Sequence, residues 1–159
     1  VSNIDPTPVF AFGHGLSYAP ATWFDIARRS PEQWANDSSC RVSVSLRNDA
    51  AIPTVEVVQV YLHDPVAEAA RPVQQLIGAA RVKLAPGQTS TVVVELHADL
   101  TSYTGRAGRR LVDAGDVELR IGASSADIRA ALRFTLVGPR HEVGFDRVLH
   151  PEITVLSHD

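Results

Sequence analysis

The segment Phe-Gly-His-Gly-Leu-Ser-Tyr at residues 12–18 has the residue spacing that most suggests a chemical role. Glycines on both sides of His14 permit positive φ angles and a close approach of the backbone to another group. A histidine held in this way could act as a general acid–base group or contact a substrate. It could equally be a turn histidine bonded to nearby backbone. Neither a dinucleotide-binding fingerprint nor a nucleophile elbow is present, because Tyr18 replaces the third glycine and Ser17 lacks the Gly-x-Ser-x-Gly frame.

The spacing of the histidines, the cysteine and the carboxylates predicts no metal site and no cofactor. No two of the six histidines are four residues apart, and Cys40 is the only cysteine. Asp64, Asp113 and Asp116 lie at turns, where carboxylates usually bond the backbone rather than calcium. The 18 acidic residues would allow a glycosidase pair by number. However, no two of them are marked as facing each other across the ~5 to ~9 Å that glycoside hydrolysis requires.

A sugar-binding platform is a further possibility, because aromatic rings stack on the apolar faces of sugars. Trp34 could form it together with Gln74 and Gln75. The chain has only five Phe, three Tyr and two Trp. Because aromatic side chains supply large buried areas, at least half of them are expected in the core and the N-terminal arm. The sequence therefore leaves this platform open without favouring it.

Length and composition indicate one globular domain, with 159 residues, 45% apolar and 21% charged. The net charge of −3 does not favour a nucleic-acid partner. No apolar run approaches the ~18 residues of a membrane-spanning helix, so no membrane partner is expected. The single cysteine excludes an intrachain disulfide. A start at Val1 without methionine or leader indicates a fragment or a processed product, and it leaves the compartment open.

Alternation of apolar and polar residues with period two is the dominant pattern, and it predicts strands. Successive side chains of a strand point to opposite faces, so each run has one buried face and one solvated face. Turn residues separate the runs, and Ala-Pro-Gly-Gln at residues 85–88 fits a type II turn with Gly87 at the positive-φ position. The runs lie at residues 22–28, 42–46, 55–62, 76–84, 90–97, 117–121 and 132–136.

The run at residues 55–62 differs from the others because neither of its faces is clearly polar. Three aliphatic residues line one face, and the other carries Val57, Gln59 and Tyr61. Such a strand is either an ordinary central strand with a tolerant outer face or a strand covered by something else. The sequence leaves both interpretations open, and a neighbouring domain is one candidate for the cover.

Seven short strands at this spacing predict an all-β fold, a seven-stranded antiparallel sandwich of the immunoglobulin or fibronectin type III-like kind. The sandwich is expected at residues 21–137. An irregular N-terminal arm at residues 1–20, which would serve as linker and docking arm, precedes it. A C-terminal tail without strand pattern follows at residues 138–159. Residues 30–39 are expected to form a polar loop that contains Trp34.

Five segments of the chain match, in order and in register, segments of one known family. They are Pro-Val-Phe-Ala-Phe-Gly-His-Gly-Leu-Ser-Tyr (8–18), Glu-Val-Val-Gln-Val-Tyr-Leu-His-Asp-Pro-Val (56–66), Arg-Pro-Val-Gln-Gln-Leu-Ile-Gly (71–78), Leu-Ala-Pro-Gly-Gln-Thr (84–89) and Gly-Ala-Ser-Ser-Ala-Asp-Ile-Arg (122–129). The chain resembles the C-terminal fibronectin type III-like domain of glycoside hydrolase family 3 enzymes of the β-glucosidase and β-xylosidase type. It departs from the family where Ala11 replaces a proline and where Gln75 and Ile77 replace lysines. The tail has no counterpart.

The resemblance implies that the catalytic groups of a parent enzyme lie outside this chain. In that family the nucleophilic Asp of a retaining mechanism lies in an N-terminal barrel, within a Ser-Asp-Trp type motif, and the acid/base Glu lies in an α/β domain. Residues 23–25, Trp-Phe-Asp, do not match that motif. No catalytic role is therefore carried over to any residue here, and the chain alone is expected not to be an enzyme.

The expected function is that of an accessory domain that packs on the catalytic domains of the same parent chain and stabilises them. The N-terminal arm would dock there, because its apolar residues lack strand periodicity and need a surface to bury against. The expected docking residues are Phe10, Phe12, His14, Leu16, Tyr18 and Tyr61. A carbohydrate- or surface-binding module, marked by a planar row of exposed aromatics, is one alternative. A free-standing interaction domain is the other.

Overall fold

Twelve strands and one 3₁₀ turn form the regular structure of residues 7–65 and 69–158, the part of the chain that the computed structural model describes. All seven predicted strands are present, as β1, β3, β4, β5, β6, β9 and β10. No helix in this part of the chain is long and apolar enough to cross a membrane. The strands are β1 (Thr22–Arg28), β2 (Gln33–Ala35), β3 (Ser39–Arg47), β4 (Thr54–His63), β5 (Gln75–Leu84), β6 (Thr89–His97), β7 (Tyr103–Thr104), β8 (Arg110–Val112), β9 (Gly115–Gly122), β10 (Ile128–Val137), β11 (His141–Glu142) and β12 (Glu152–His158), and the 3₁₀ turn is Ala98–Thr101.

Two large sheets face each other and form the predicted sandwich. One sheet has the strand order β1-β3-β6-β12, and the other has the order β2-β10-β9-β4-β5. A small third sheet has the order β11-β8-β7. Among the described strands, every pair is antiparallel except the pair of β2 with β10, which is parallel. The all-β sandwich class is therefore confirmed, with more strands than the sequence predicted.

The core lies between the two large sheets, and the alternation explains which side chains fill it. On β6, Val92, Val94 and Leu96 are no more than 1% exposed, whereas the residues between them are half-buried. On β9 the same alternation buries Leu119 and Ile121 against them from the other sheet. Burial of these apolar faces supplies the main driving force that holds the sheets together.

The expectation of a polar loop at residues 30–39 is wrong in its middle, where β2 forms. Trp34 of β2 is 2% exposed, and its indole Nε1 donates to the carbonyl of Ser38 at 3.0 Å. Its ring meets the ring of Phe134 edge-on, with centroids 5.7 Å apart. Three residues are too few to show a period-two pattern, so the one buried aromatic side chain positions this strand.

The expectation that residues 138–159 lack strands is wrong at their end, where β12 pairs with β6 along its whole length. Ile153 of β12 packs against the core, but Val155 and Leu156 are both partly exposed. An edge strand of this kind is held largely by its main-chain ladder, which side-chain patterns do not reveal. Because β12 covers the open edge of β6, this part of the tail belongs to the sandwich.

The predicted type II turn at residues 85–88 joins β5 to β6. Gly87 has a φ of +74°, and the amide of Gln88 donates to the carbonyl of Ala85 at 3.0 Å. Asn48, buried at the end of β3, exchanges backbone hydrogen bonds with Gly87 and Gln88 at 2.9 and 3.0 Å. The turn thereby connects the two sheets at one end of the sandwich.

Candidate docking surface

The N-terminal arm, residues 7–20 in the described part, is tied to the sandwich through its backbone. The carbonyl of Phe12 accepts a hydrogen bond from the amide of Ser125 at 2.9 Å. Farther along, Thr54 at the start of β4 donates its hydroxyl to the carbonyl of Ala19 at 2.5 Å and contacts the Ser17 hydroxyl at 2.9 Å. These bonds lie at both ends of the Gly-His-Gly segment, so the path of the arm over the sandwich is fixed.

Gln59 on the outer face of β4 explains why the arm lies where it does. Gln59 is 4% exposed, and its amide nitrogen donates to the carbonyls of Ala123 at 2.6 Å and Gly13 at 3.2 Å. The hydroxyl of Tyr61 donates to Oε1 of Gln59 at 2.5 Å. The sequence leaves open whether something covers the outer face of β4. At Gln59 the arm of the same chain covers it. Val57, two residues earlier, stays partly exposed.

Tyr61 is the one predicted docking residue that the structure places in the interior. It is 2% exposed, and burial raises the pKa of its phenol. Its side chain therefore supports Gln59, which in turn holds the arm. The expectation that Tyr61 itself lies on the docking surface is wrong, because the alternation of β4 does not reveal that its outer face is covered within the chain.

One of the two glycines that flank His14 has a clear backbone role. Gly13 has a φ of +75°, and a Cβ atom added there would overlap the side-chain amide of Gln59. Gly15 has no atom within 4 Å of the corresponding position, and its φ lies outside the left-handed region. The close backbone approach expected from the motif is therefore present at Gly13, where the arm crosses β4.

The side chains of the arm face solvent although its backbone is bound. Leu16 is 93% exposed and Tyr18 is 103% exposed, and Phe10 and Phe12 are also exposed. Large apolar side chains exposed together on a protein surface often mark an interaction site. We call these four side chains, with the neighbouring Ile52 and Val55, the arm surface. They include every predicted docking residue except His14, described next, and the buried Tyr61.

His14 is exposed in a turn, where its amide donates to the carbonyl of Ala11 at 3.0 Å. Its ring stacks on that of Phe10, with centroids 5.1 Å apart. Among the described residues, no carboxylate or backbone group bonds its ring nitrogens. A general acid–base role would need such an orienting partner. The geometry of the described residues therefore favours a contact role for His14 next to the arm surface.

Two grooves flank the arm. One, of 540 Å³, separates Leu16 and Tyr18 from Ile52, Val55 and the last residues of β5. The other, of 370 Å³, lies on the side of Trp23, Glu56 and Arg129. The first groove is lined mainly by apolar side chains, and both end on the exposed side chains of the arm. The first groove therefore offers an apolar recess beside Leu16 and Tyr18.

The carboxylates considered for calcium bond other side chains instead. Asp64 accepts from Arg71 at 2.8 Å, and Asp116 accepts from the hydroxyl of Thr135 at 2.8 Å. Burial raises the pKa of Asp113, but hydrogen bonds from Arg140 and Tyr103 outweigh it and hold that pKa below its usual range. Within residues 7–65 and 69–158, no group of three His, Cys, Asp or Glu side chains could hold a metal ion.

The sugar platform that the sequence leaves open does not assemble from Trp34, Gln74 and Gln75. Trp34 is buried in the core, so its ring offers no face to a ligand. Gln74 uses its amide nitrogen to bond the carbonyl of Ser125 at 2.7 Å and accepts from Arg120 at 3.3 Å. Gln75 is exposed on β5, whereas Trp34 is buried. The three residues therefore do not form one binding surface.

The loop that joins β9 to β10 is part of the site, and sequence reasoning did not single it out. The amide of Ser125 donates to the carbonyl of Phe12 in the arm. The carbonyl of Ala123 accepts from Gln59 of β4, and the carbonyl of Ser125 accepts from Gln74 in the loop before β5. Ser124 orders the loop by accepting from the amides of Ala126 at 3.3 Å and Asp127 at 3.0 Å. The only sequence signal for this role was the family motif at residues 122–129.

The family of Fibronectin type III-like domains matches residues 56–125, from β4 to the loop after β9. Residues 56–125 therefore belong to this family. The match includes Gln59 and the loop that hold the arm, and it leaves the arm itself outside. The predicted relationship to fibronectin type III-like domains is therefore confirmed.

Relatives of this fibronectin type III-like domain are parts of larger glycosidases. A β-glucosidase of Rhizobium radiobacter is 39% identical over 130 residues, which cover 81% of this chain and 16% of the relative. A β-xylosidase of Formosa agariphila is 33% identical over 121 residues, which cover 76% of this chain and 17% of the relative. The crystal structure of a β-glucosidase from Listeria innocua aligns with a TM-score of 0.78 at 29% identity, covering 86% of this chain and 18% of that one. The chain thus spans less than a fifth of these relatives, and the resemblance to glycoside hydrolase family 3 is confirmed.

Proposed function

We propose that this fibronectin type III-like domain is a non-catalytic accessory domain of a retaining β-glycosidase of the β-glucosidase or β-xylosidase type. It packs on the catalytic domains of the same parent chain and stabilises them. The observation that carries the proposal is the arm, whose backbone is hydrogen-bonded to the sandwich while Leu16 and Tyr18 are almost fully exposed. The hydrolytic chemistry belongs to the other domains of the parent.

A fixed backbone with exposed apolar side chains favours docking on energetic grounds. Ordering a mobile segment at an interface costs free energy that reduces the affinity. Here the bonds at Phe12, Gly13 and Ala19 hold the arm in place before any partner arrives. The burial of each large apolar side chain then stabilises the contact by about 1.5–3 kcal/mol.

The occupant that we propose for the arm surface is the α/β catalytic domain of the same parent. Three observations support it. The segments that match this chain make up less than a fifth of the glycosidase relatives, so these relatives contain a large additional part of the polypeptide. The arm motif at residues 8–18 resembles the segment that leads into this domain in glycoside hydrolase family 3. The groove of 540 Å³ beside Tyr18 offers a recess for apolar side chains of that domain.

The test is the double substitution Leu16→Ser and Tyr18→Ser in the full-length product of the gene that encodes this chain. We expect the loss of about 3 kcal/mol of interdomain stabilisation, because two apolar side chains no longer bury. Calorimetry of the full-length protein should show a lower Tm. In the 159-residue chain the same double substitution should change the free energy of unfolding by less than about 0.5 kcal/mol, because both side chains are already exposed.

Phe145→Ser provides the matched control, because Phe145 is equally exposed but lies in the loop before β12. It removes an exposed aromatic side chain without touching the arm surface. An unchanged Tm of the full-length protein with the double substitution would refute docking through the arm. A decrease in Tm no larger than the decrease caused by Phe145→Ser would refute it as well.

The catalytic part of the proposal is tested by activity on aryl β-glucosides and aryl β-xylosides. We expect the full-length product to hydrolyse at least one of them and the 159-residue chain to hydrolyse neither. The preferred glycoside identifies the substrate class of the parent. Turnover by the 159-residue chain would contradict the assignment of catalysis to other domains, and His14 would then be the first residue to substitute.

A further inference from the structure

A further pocket, of 280 Å³, lies between β5, the 3₁₀ turn, β8 and the loop before β12. Apolar side chains such as Leu76 and Leu100 line one part of it. Arg110, Arg147 and His150 line another. No residue of the arm surface lies in this pocket, so it is separate from the proposed docking site. It combines an apolar wall with two guanidinium groups.

The guanidinium of Arg110 is oriented by a neighbouring buried residue. Its Nε donates to the hydroxyl of Ser102 at 2.9 Å, and its Nη2 donates to the carbonyl of Ser102 at 2.9 Å. Arg147 is held more simply, by one bond from Nη1 to the carbonyl of Gly144 at 3.1 Å. Each guanidinium has five N–H donors, so both groups keep donors for a ligand.

The positive charge of the two guanidinium groups is not neutralised by ion pairs within the described residues. Burial, with the nearby charges of Arg147 and Arg71, holds the pKa of Arg110 below its usual range. Asp99 is the only carboxylate among the described residues that line the pocket. Its Oδ2 accepts from the amide of Val148 at 2.9 Å, and its Oδ1 lies 3.3 Å from Nδ1 of His97. The pocket therefore has an excess of positive charge.

We propose that this pocket binds an oxyanion, a carboxylate or phosphate group, between the guanidinium groups of Arg110 and Arg147. The planar fork of an arginine side chain matches the two oxygens of such a group, and charge-assisted hydrogen bonds of this kind are the strong ones. An anion there also relieves the repulsion between two like charges. The wall at Leu76 and Leu100 can receive the carbon skeleton of an organic ligand of monosaccharide size.

Hydrogen bonds fix the loop before β12, so the two arginines are held in place in the absence of a ligand. The bond from the amide of Val148 to Asp99 joins the loop before β12 to the 3₁₀ turn. Ser102, which orients Arg110, is 3% exposed and donates its own amide to the carbonyl of Asp99 at 3.0 Å. Both guanidinium groups are therefore carried by elements that hydrogen bonds hold together. This proposal is independent of the docking role of the arm.

The test is a titration of the ¹⁵N-labelled 159-residue chain, followed by the backbone amide resonances, at constant ionic strength set with NaCl. The probes are inorganic phosphate, D-glucuronate and, as the neutral control, D-glucose. We expect phosphate, glucuronate or both to shift the amides of Leu100, Arg110 and Val148 saturably. The anion that binds with the lower Kd shows whether free phosphate or a carboxylate on a sugar-sized skeleton is the better ligand. Saturation by neither anion, or equal shifts with glucose, would overturn the proposal.

Arg147→Gln is the variant of choice, because Arg110→Gln also removes the two bonds to Ser102 and could disturb the fold. We expect Arg147→Gln to weaken anion binding about tenfold, the effect of losing one charge-assisted contact. Arg133→Gln removes the same charge from an arginine whose side chain is 84% exposed on β10, and it should leave the affinity unchanged. An unchanged affinity in Arg147→Gln, or an equal loss in Arg133→Gln, would refute the site.

Discussion

Replacement of Arg71 by alanine is expected to lower the free energy of unfolding of the 159-residue chain by about 3 kcal/mol. The side chains of Arg71 and Asp64 are 9% and 10% exposed, and they pair at 2.8 Å. The same guanidinium nitrogen donates to the carbonyl of Thr101 at 2.6 Å, and the guanidinium lies 5.3 Å from the ring centre of Tyr103. Removal of Arg71 leaves a buried carboxylate and a buried carbonyl without this partner, and that loss destabilises far more than the loss of a surface pair.

Urea denaturation of the Arg71→Ala chain measures this effect, and Arg41→Ala is the matched control. Arg41 pairs with Glu95 at 2.7 Å, but their side chains are 60% and 31% exposed. Exposed pairs of this kind contribute ~0.2–1 kcal/mol, so the control should change stability little. If both substitutions lower the free energy of unfolding equally, the buried pair has no special role in holding the loop before β5.

The strands that the sequence predicts are long enough for a pattern to repeat, and in several of them only one face is buried. At residues 90–97 and 117–121, each period-two run has one face in the core, so the pattern reports burial directly. In contrast, β2 has three residues and depends on Trp34, and β12 is an edge strand whose exposed Leu156 interrupts the alternation. Neither feature contains enough alternation to be distinguished from a loop.

The exposure of the arm surface could be predicted in part from the sequence. Phe10, Phe12, Leu16 and Tyr18 were expected to be exposed because they are apolar without strand periodicity, and the structure places them at the surface. The burial of Tyr61 could not be predicted, because it depends on hydrogen bonds between segments far apart in the chain. Polar Gln59 within an otherwise apolar strand was the available signal, since a buried amide needs several partners.

The loop after β9 was missed for a related reason. Its side chains are mostly small, and their pattern does not show which backbone groups form hydrogen bonds. The backbone of Ala123 and Ser125 bonds the side chains of Gln59 and Gln74 and the backbone of the arm. Family motifs record such roles because they preserve the residues that a close backbone approach requires. The motif at residues 122–129 begins with a glycine for a reason that only the three-dimensional structure shows.

Gly122→Ala is expected to destabilise the 159-residue chain by about 3 kcal/mol, at the upper end of overpacking effects. An added Cβ would overlap the carbonyl oxygen of Asp127 and lie 3.0 Å from the Cα of Ile128. Both contacts are with backbone, which cannot move aside as a flexible side chain would. The pairing of β9 with β10 already shifts register at Ile128, so the strain falls on the loop that holds the arm.

Gly15→Ala is the matched control for Gly122→Ala, because no atom lies within 4 Å of the added Cβ and the φ of Gly15 is not in the left-handed region. Thermal unfolding should show a large decrease in Tm for Gly122→Ala and almost none for Gly15→Ala. Hydrogen exchange at the amide of Ser125, which bonds the carbonyl of Phe12, should accelerate only in the Gly122→Ala chain. A stable Gly122→Ala chain with an unchanged exchange rate at Ser125 would show that this close backbone approach does not position the arm.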